Sequence, residues 1–503
     1  MRTLLLLADL HVSLDYPMGC TTGTRGPHQM PESHASVLGT SGCDAPLSLL
    51  HKAAEAAHGL SPRPELALVA GDLVPYSASK APSSILSRLT FRNVSTELAA
   101  GLPMPACIAL GNNDAWPDHA TESPIPEAAA LRSTCGLRTE QASRGYYTRD
   151  LGGGLELLVL NTAPYDGQSL ASGLGDDPLG QFVWLEAELS RLEALGSKAL
   201  LLGHIPPGID QFAWPALGRT RTSATPQSMW REPCEVSFWA IVSRHAGAVG
   251  GLLFGHTHTG WYRVWGGRGA AARPPLLSFG ALAPVSHTSP ALYTLALDET
   301  NALSAVTPYH LDLGAARPAF EASAALPAAL GASALTNDAF EELTERLRTP
   351  AADEAWSYLF GDYYRGASES GGSECRRADD SFEDCHTCTG ECRLAFCCLL
   401  AHGASTSDHR RHCRPAAAPL AQWVASSSYS SQSAGGVQQG ADPHRLAVGV
   451  LVAPMAAVAL LVFGWLRRWP PQRPRASPSR ATTGVLDDPD PEYYYEYTFV
   501  TAR

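Results

Sequence analysis

The residues best suited to chemistry stand in Gly255-His256-Thr257-His258, directly after the apolar stretch 252–254. Two histidines one residue apart at a strand end can reach one metal ion or two neighbouring ones. Four further motifs follow apolar runs in the same way. Asp9-Leu10-His11 follows 3–8, Gly71-Asp72 follows 66–70, Gly111-Asn112-Asn113-Asp114 follows 106–110, and Gly203-His204-Ile205-Pro206-Pro207-Gly208 follows 199–202. Residues at i and i+2 of an extended chain point to the same side, as a shared ion requires. The set offers a carboxylate able to bridge, hard oxygen donors and imidazoles, the mixture that suits borderline divalent metals. Two ions about 3.5–4 Å apart can activate a water and clamp both oxygens of an in-line displacement at phosphorus.

Positioning five such ends in one place needs a layered scaffold. Strand-length apolar runs alternate with helical stretches at 47–58 and, from the N-cap Asp177, to about 195; further strands are expected at 276–279 and 291–297. That alternation predicts α/β layers with functional residues on the loops at strand ends. Beyond about residue 313 the sequence turns Ala-rich, and helices are expected at 337–348 and 352–365. A loop rich in Gly, Pro and Ser holds Cys20 and ends at Cys43, which suggests a disulfide between them. Seven cysteines crowd into 375–413. In an oxidising compartment such a cluster reads as disulfides stapling a small subdomain, although Cys385-x2-Cys388 also suits structural zinc.

The 503-residue chain is 45% hydrophobic and carries a net charge of −12, which argues against nucleic-acid binding because a phosphate backbone needs a basic footprint. Residues 446–466 hold no charge. As a helix they span roughly 31 Å, enough for a bilayer core of about 30 Å. Arg467, Arg468, Arg473, Arg475 and Arg480 follow, so the positive-inside rule puts the C-terminal tail in the cytosol and residues 1–445 in a lumen or outside the cell. The apolar run 4–8 is too short for a secretory leader, and a signal peptide upstream of this reading frame is expected. Asn93-Val94-Ser95 is a glycosylation acceptor of the same topology. Residues 416–445 read as a flexible stalk and 467–503 as a disordered tail. Within the tail, Tyr497-Thr-Phe-Val500 matches a Tyr-x-x-bulky motif read by endosomal sorting adaptors.

The motifs DLH, GD, GNND, GHIPPG and GHTH resemble those of the calcineurin-like metallophosphoesterase superfamily, over about residues 3–300. The resemblance implies a β-sandwich flanked by helices. It also implies one ion held by Asp9, His11 and His258, a second held by Asn112, His204 and His256, and Asp72 bridging them. Zinc is the ion the resemblance favours, with manganese or iron also suited to these ligands. The segment 39–50 and the later stretches 356–366, 388–397 and Cys413 resemble acid sphingomyelinase-like phosphodiesterases. They imply a catalytic domain over 1–313 and a helical, disulfide-bonded subdomain over 314–415. They also imply the pair Cys388–Cys392 and a bond from Cys397, or its neighbour Cys398, to Cys413. No lipid-extracting module stands ahead of the catalytic stretch, which tilts expectation away from sphingomyelin in a bilayer.

Two departures bear on substrate. The family's leaving-group histidine falls at Asn113, and endopolyphosphatases of the same branch resemble GNND as here. A second histidine usual four residues after the bridging aspartate is Tyr76. Beside Asp72, the catalytic candidates are therefore the Asn113 position, Tyr76 and His119. A general acid matters most for poor leaving groups, so its absence tilts expectation toward nucleotide or polyphosphate anhydrides over phosphodiesters. A non-catalytic surface binding protein on a hydrolase scaffold is the alternative of a different class.

Overall fold

The computed structural model describes residues 2–16, 37–120, 125–137, 140–169, 175–210, 228–266, 274–364, 373–375, 385–388, 390–404 and 413. The span expected at 446–466, the stalk, the tail with Tyr497, and Cys20 lie outside these residues. No helix among the described residues is long and apolar enough to cross a membrane.

Residues Met1–Pro419 form one compact unit, built on two six-stranded sheets. The first runs in the order Phe320–Ala322, Leu303–Leu311, Ala291–Leu297, Arg2–Leu7, Ala67–Val69, Ala106–Ile108. The second runs Trp261–Arg263, Leu276–Ser278, Val249–Phe254, Lys198–Leu202, Leu155–Val159, Tyr147–Gly152. Arg2–Leu7, Ala67–Val69 and Ala106–Ile108 run parallel at one side of the first sheet, with Leu6 opposite Leu68, and Leu276–Ser278, Val249–Phe254, Lys198–Leu202 and Leu155–Val159 run parallel through the second, with Leu201 opposite Leu252. Parallel strands are covered on both faces, which is why 4–7 and 199–202 read as unbroken apolar runs rather than alternating ones. One hydrophobic cluster includes residues of both sheets, among them Leu6, Val69, Leu201 and Phe254. The carboxyl ends of the parallel strands are where the candidate ligands begin.

Asp177 does cap a helix as expected. One 3-10 turn intervenes, and its carboxylate accepts the N–H groups of Phe182 and Val183 at 2.7 and 3.1 Å, opening Gln181–Ala194. The expected helix at 352–365 is instead a short α-helix, Asp353–Ser357, running into a π-helix, Tyr358–Tyr363. Gly260 packs against that π-helix so closely that a Cβ would lie 2.3 Å from the Tyr363 carbonyl oxygen. The C-terminal helix Gly390–His402 closes on the loop after His204: Ile209 N–H donates to the Gly403 carbonyl at 2.8 Å. Buried Arg263 pins the same loop by donating to the carbonyl of Pro207 at 3.0 Å.

Three disulfides join described residues: Cys107–Cys135, Cys388–Cys392 and Cys398–Cys413. The first was not foreseen. The last corrects the pairing of Cys397, which is free and buried. Neighbours on a helix diverge by about 100°, so only one of the adjacent pair can face Cys413. Cys388, tied to Cys392, has no thiolate left for zinc. Cys43 is disulfide-bonded as well.

His245 ties two helices of the second layer. Its Nδ1 meets Glu193 at 2.7 Å and its Nε2 meets Glu186 at 3.0 Å. Burial works to lower its pKa, but hydrogen bonds to the two glutamates outweigh it and raise the imidazole above its usual 6.5. A raised histidine stabilises the fold fully below the unfolded pKa and loses that contribution as pH rises through the folded one. His245→Gln is therefore expected to lower Tm more at about pH 5.5 than at about pH 9. An equal drop at both, by differential scanning fluorimetry, would remove the charge from the explanation.

Candidate metal centre

Five strand ends deliver their side chains to one buried place. Donor atoms of Asp9, His11, Asp72 and His258 all lie within 4.8 Å of one another, and so do those of Asp72, His204 and His256. Asp72 belongs to both groups. Its Oδ2 lies 3.5 Å from His11 Nε2 and 3.3 Å from His204 Nε2. Asn112 joins the second group, with Oδ1 3.1 Å from His204 Nε2. His256 Nδ1 lies 3.3 Å from that same nitrogen.

The backbone is bent hard to achieve this. Asp9, His11, Asp72, His256 and His258 have φ of 48°, 38°, 52°, 74° and 55°. Left-handed conformations in residues with a Cβ cost about 1–3 kcal/mol each and persist where surrounding structure enforces them. Asp114 does much of the enforcing. Its carboxylate accepts N–H groups from Asp72, Leu73, Val74 and Gly111 at 2.8–3.0 Å, locking two strand ends together. Gly111 has to be glycine, because a Cβ there would sit 2.0 Å from Asp72 Oδ1.

Three ligand rings are fixed by the nitrogen that faces away. His11 Nδ1 donates to the Val74 carbonyl at 3.1 Å and His204 Nδ1 to the Ala70 carbonyl at 2.7 Å. In the neutral rings Nε2 is then a lone pair, the arrangement of a metal-ligating histidine with its outer partner. His258 Nδ1 pairs with the Ser286 hydroxyl at 2.7 Å. The consequence is a crowd of acceptors: His11 Nε2 faces His258 Nε2 at 3.1 Å, and His204 Nε2 faces Asn112 Oδ1 and Asp72. The donor set, imidazoles and carboxylates around a shared aspartate, fits two divalent ions.

The electrostatics agree. Burial, with His204 next, lowers His256 to about 3; burial and His11 hold His258 well below the usual value, and burial lowers His11. Neutral imidazoles are the ligand form. Burial also opposes charge on the carboxyls. His204 and His11 nevertheless pull Asp72 below the carboxylate range, while burial and the repulsion of Asp72 hold Asp9 well above it. His204 is the exception among the rings: against burial, Asp72 and Asp9 push it up to about 10. Two aspartates thus demand positive charge at the centre.

The remaining candidates fall in different places. Asn113 is fully buried, and both its N–H and its side-chain amide donate to the Asp72 carboxylate, at 2.9 and 2.8 Å. Its Oδ1 accepts from the Ser79 hydroxyl at 2.8 Å. Its polar groups are thus committed inward, to Asp72 and Ser79. Tyr76 stacks on His11, ring centroids 4.6 Å apart. His119 is partly exposed, with Nδ1 bonded to Asp166 and Nε2 3.5 Å from the Asn112 amide nitrogen. Asp118 accepts from that amide at 3.0 Å and so turns the Asn112 oxygen toward His204. Asp114, Asp118, Asp166 and Ser286 were missed by the sequence reading. The last letter of GNND was a signal for Asp114; nothing local marks Asp166 or Ser286. Asn93 is exposed on helix Ser84–Gly101, and its sequon partner Ser95 is buried with its hydroxyl donating to the Phe91 carbonyl.

No protein-family model matches the chain. Among solved structures, a dimetal phosphatase from Danio rerio aligns at TM-score 0.39 and 16% identity, covering 61% of this chain and 95% of its own. The acid sphingomyelinase-like phosphodiesterase 3b of Mus musculus is 27% identical over 281 residues, 52% of this chain and 57% of that protein. The sphingomyelin phosphodiesterase of Bos taurus is 27% identical over 312 residues, 56% of this chain and 46% of that protein. The chain spans about half the length of the curated relatives it matches. The curated proteins that this chain resembles are thus acid sphingomyelinase-like phosphodiesterases and sphingomyelin phosphodiesterases, in keeping with the resemblance of its motifs to the calcineurin-like metallophosphoesterases.

Proposed function

We propose that this chain is a phosphoesterase that hydrolyses phosphodiester or phosphoanhydride bonds at two divalent ions sharing Asp72. The observation that carries the reading is the convergence of buried ligand-type side chains on both sides of that carboxylate. Asp9, His11 and His258 would hold one ion, and Asn112, His204 and His256 the other. The ligand set suits zinc, with manganese and iron next. Bound ions would supply Lewis acidity toward phosphoryl oxygens and lower the pKa of a water nucleophile toward neutrality.

The chain's own groups do the rest. Asn113 holds Asp72 in place, and Val74, Ala70 and Ser286 hold the imidazoles. Burial, with the charge of Asp72, keeps the Tyr76 phenol protonated, so it serves as a hydrogen-bond donor beside His11. His119, braced by Asp166, is the proton donor to the departing oxygen. Such a donor supports phosphodiesters with poor leaving groups, the class that the relatives' names describe. Asn113 in the usual place of a histidine favours a second reading, endopolyphosphatase.

The same proposal keeps the catalytic part outside the cytosol, anchored by residues 446–466. The disulfides Cys107–Cys135, Cys388–Cys392 and Cys398–Cys413 support an oxidising compartment.

A hydrolysis panel on the full chain with added zinc tests the proposal: bis-p-nitrophenyl phosphate, CDP-choline, ATP, sphingomyelin and long-chain polyphosphate. Turnover of the diesters is the expected outcome. Turnover of polyphosphate alone selects the second reading. A chain that binds no metal and turns over nothing leaves the non-catalytic scaffold.

A further inference from the structure

We propose that the solvent face of helix Ser84–Gly101 docks on an anionic lipid bilayer beside the metal centre. Ile85, Leu86 and Leu89 are 66%, 38% and 41% exposed. At i, i+1 and i+4 they form one patch on the helix surface. The other exposed large apolar side chains among the described residues (Leu14, Val37, Val183, Leu195 and Val236) are scattered singly along the sequence. Exposed aliphatics grouped on one face mark a binding surface more than scattered ones do.

The charge around the patch selects the partner. The chain carries 49 acidic residues against 37 Lys and Arg, yet no Asp or Glu occurs between Asp72 and Glu97, while Lys80 and Arg92 do, and Arg88 lines a cleft together with Glu127. Aliphatic side chains with flanking cations are the chemistry of an interfacial helix, its apolar face entering the acyl boundary and its cations meeting anionic headgroups. On the proposed reading of residues 446–466 as a membrane span, the leaflet that this helix would meet is the lumenal or outer one, and docking requires anionic lipid there.

The face is coupled to the site over a few residues. Just before the helix, Tyr76 stacks on His11 and Ser79 donates to Asn113. Lys80 lies over the Tyr76 ring at 4.9 Å, and Trp116, four residues after Asn112, donates its indole N–H to the Ala81 carbonyl at 2.9 Å. A cleft lined by Ser87, Arg88, Trp116, Asp114 and Gly111 runs from the helix to the loop that carries Asn112. Docking itself does not depend on the catalytic reading.

The test uses the full chain in nanodiscs of phosphatidylcholine, with or without phosphatidylserine, and reads hydrogen exchange of peptides from Ser84–Gly101. Exchange is expected to slow in the anionic discs, and Arg92→Ala to reduce that preference about fivefold, the weight of one cation near the surface. Ile85→Asp with Leu89→Asp is expected to abolish the protection while turnover of soluble bis-p-nitrophenyl phosphate stays unchanged. Val183→Asp, on another helix, is expected to leave both intact. Equal exchange in the two disc types overturns the proposal, as does protection that survives the double substitution. Protection that appears without lipid and grows with protein concentration assigns the face to a second copy and also overturns it. Asn93 lies one turn beyond Leu89, so a glycan found there by peptide mass would cover the patch and exclude docking. Loss of diester turnover with docking intact would count against the proposed function alone.

Discussion

Asp72→Asn is expected to lower turnover of bis-p-nitrophenyl phosphate on the order of a thousandfold, the upper range for removing one preorganised electrostatic group. Metal content should fall with it. The reason lies in what already surrounds this carboxylate. Both oxygens accept from Asn113, Oδ1 from its backbone N–H and Oδ2 from its side-chain amide. An asparagine at position 72 must turn its own NH2 toward one of these donors, so it is pushed out of register. It also loses the negative charge that serves both ligand groups, through an Oδ2 that lies 3.5 and 3.3 Å from the two histidine nitrogens. Metal analysis of purified protein separates this from unfolding: an unchanged circular dichroism spectrum with at least one ion lost per chain is the expected outcome. A variant that keeps two ions and full activity would show that Asp72 does not bridge.

How much of this was legible from sequence follows from the range of the interactions involved. Each candidate ligand sits at the end of its own apolar run and often next to a glycine that lets strands approach, so Asp9, His11, Asp72, Asn112, His204, His256 and His258 could be picked out one motif at a time, and the fold brings them together. Gly111 shows the cause: the steric demand that fixes it comes from Asp72, and it left a mark in the local sequence. Asp166 and Ser286 left none. Each stands outside the strand-end motifs, with its partner 47 or 28 positions away. The contacts of Asn113 were hidden for the same reason, since alignment with a motif says where a residue stands and not which way its amide points. Helix Ser84–Gly101 escaped notice because Ile85, Leu86 and Leu89 blur its periodicity by putting apolar residues on the solvent face. Leu303–Leu311 was missed because Pro308 sits inside it, and Pro demotes a strand reading. The choice of Cys398 over Cys397 depended on helix phase, which an adjacent pair cannot reveal.

His119→Ala should separate substrates by their leaving groups. An alkoxide cannot depart without a proton, whereas p-nitrophenolate leaves readily without one. General acid catalysis contributes about 10²–10⁴-fold, so the variant should lose that factor on an alkyl phosphodiester and little on bis-p-nitrophenyl phosphate. Geometry supports this residue over the two positions suggested by the motifs. Asn113 is wholly buried, and burial with the nearby carboxylates holds the Tyr76 phenol far above the range of a useful acid. His119 is partly exposed and braced at one ring nitrogen by the Asp166 carboxylate, and its other nitrogen stands beside Asn112. Asp166 acts through His119, so Asp166→Asn should give a smaller loss with the same leaving-group pattern, and Asp166→Glu should recover part of it. A purely structural role for Asp166 would lower turnover of both substrates equally. If His119→Ala slows the p-nitrophenyl and alkyl diesters by the same factor, His119 binds substrate instead, and the weak dependence on an acid would favour phosphoanhydrides as the natural bond.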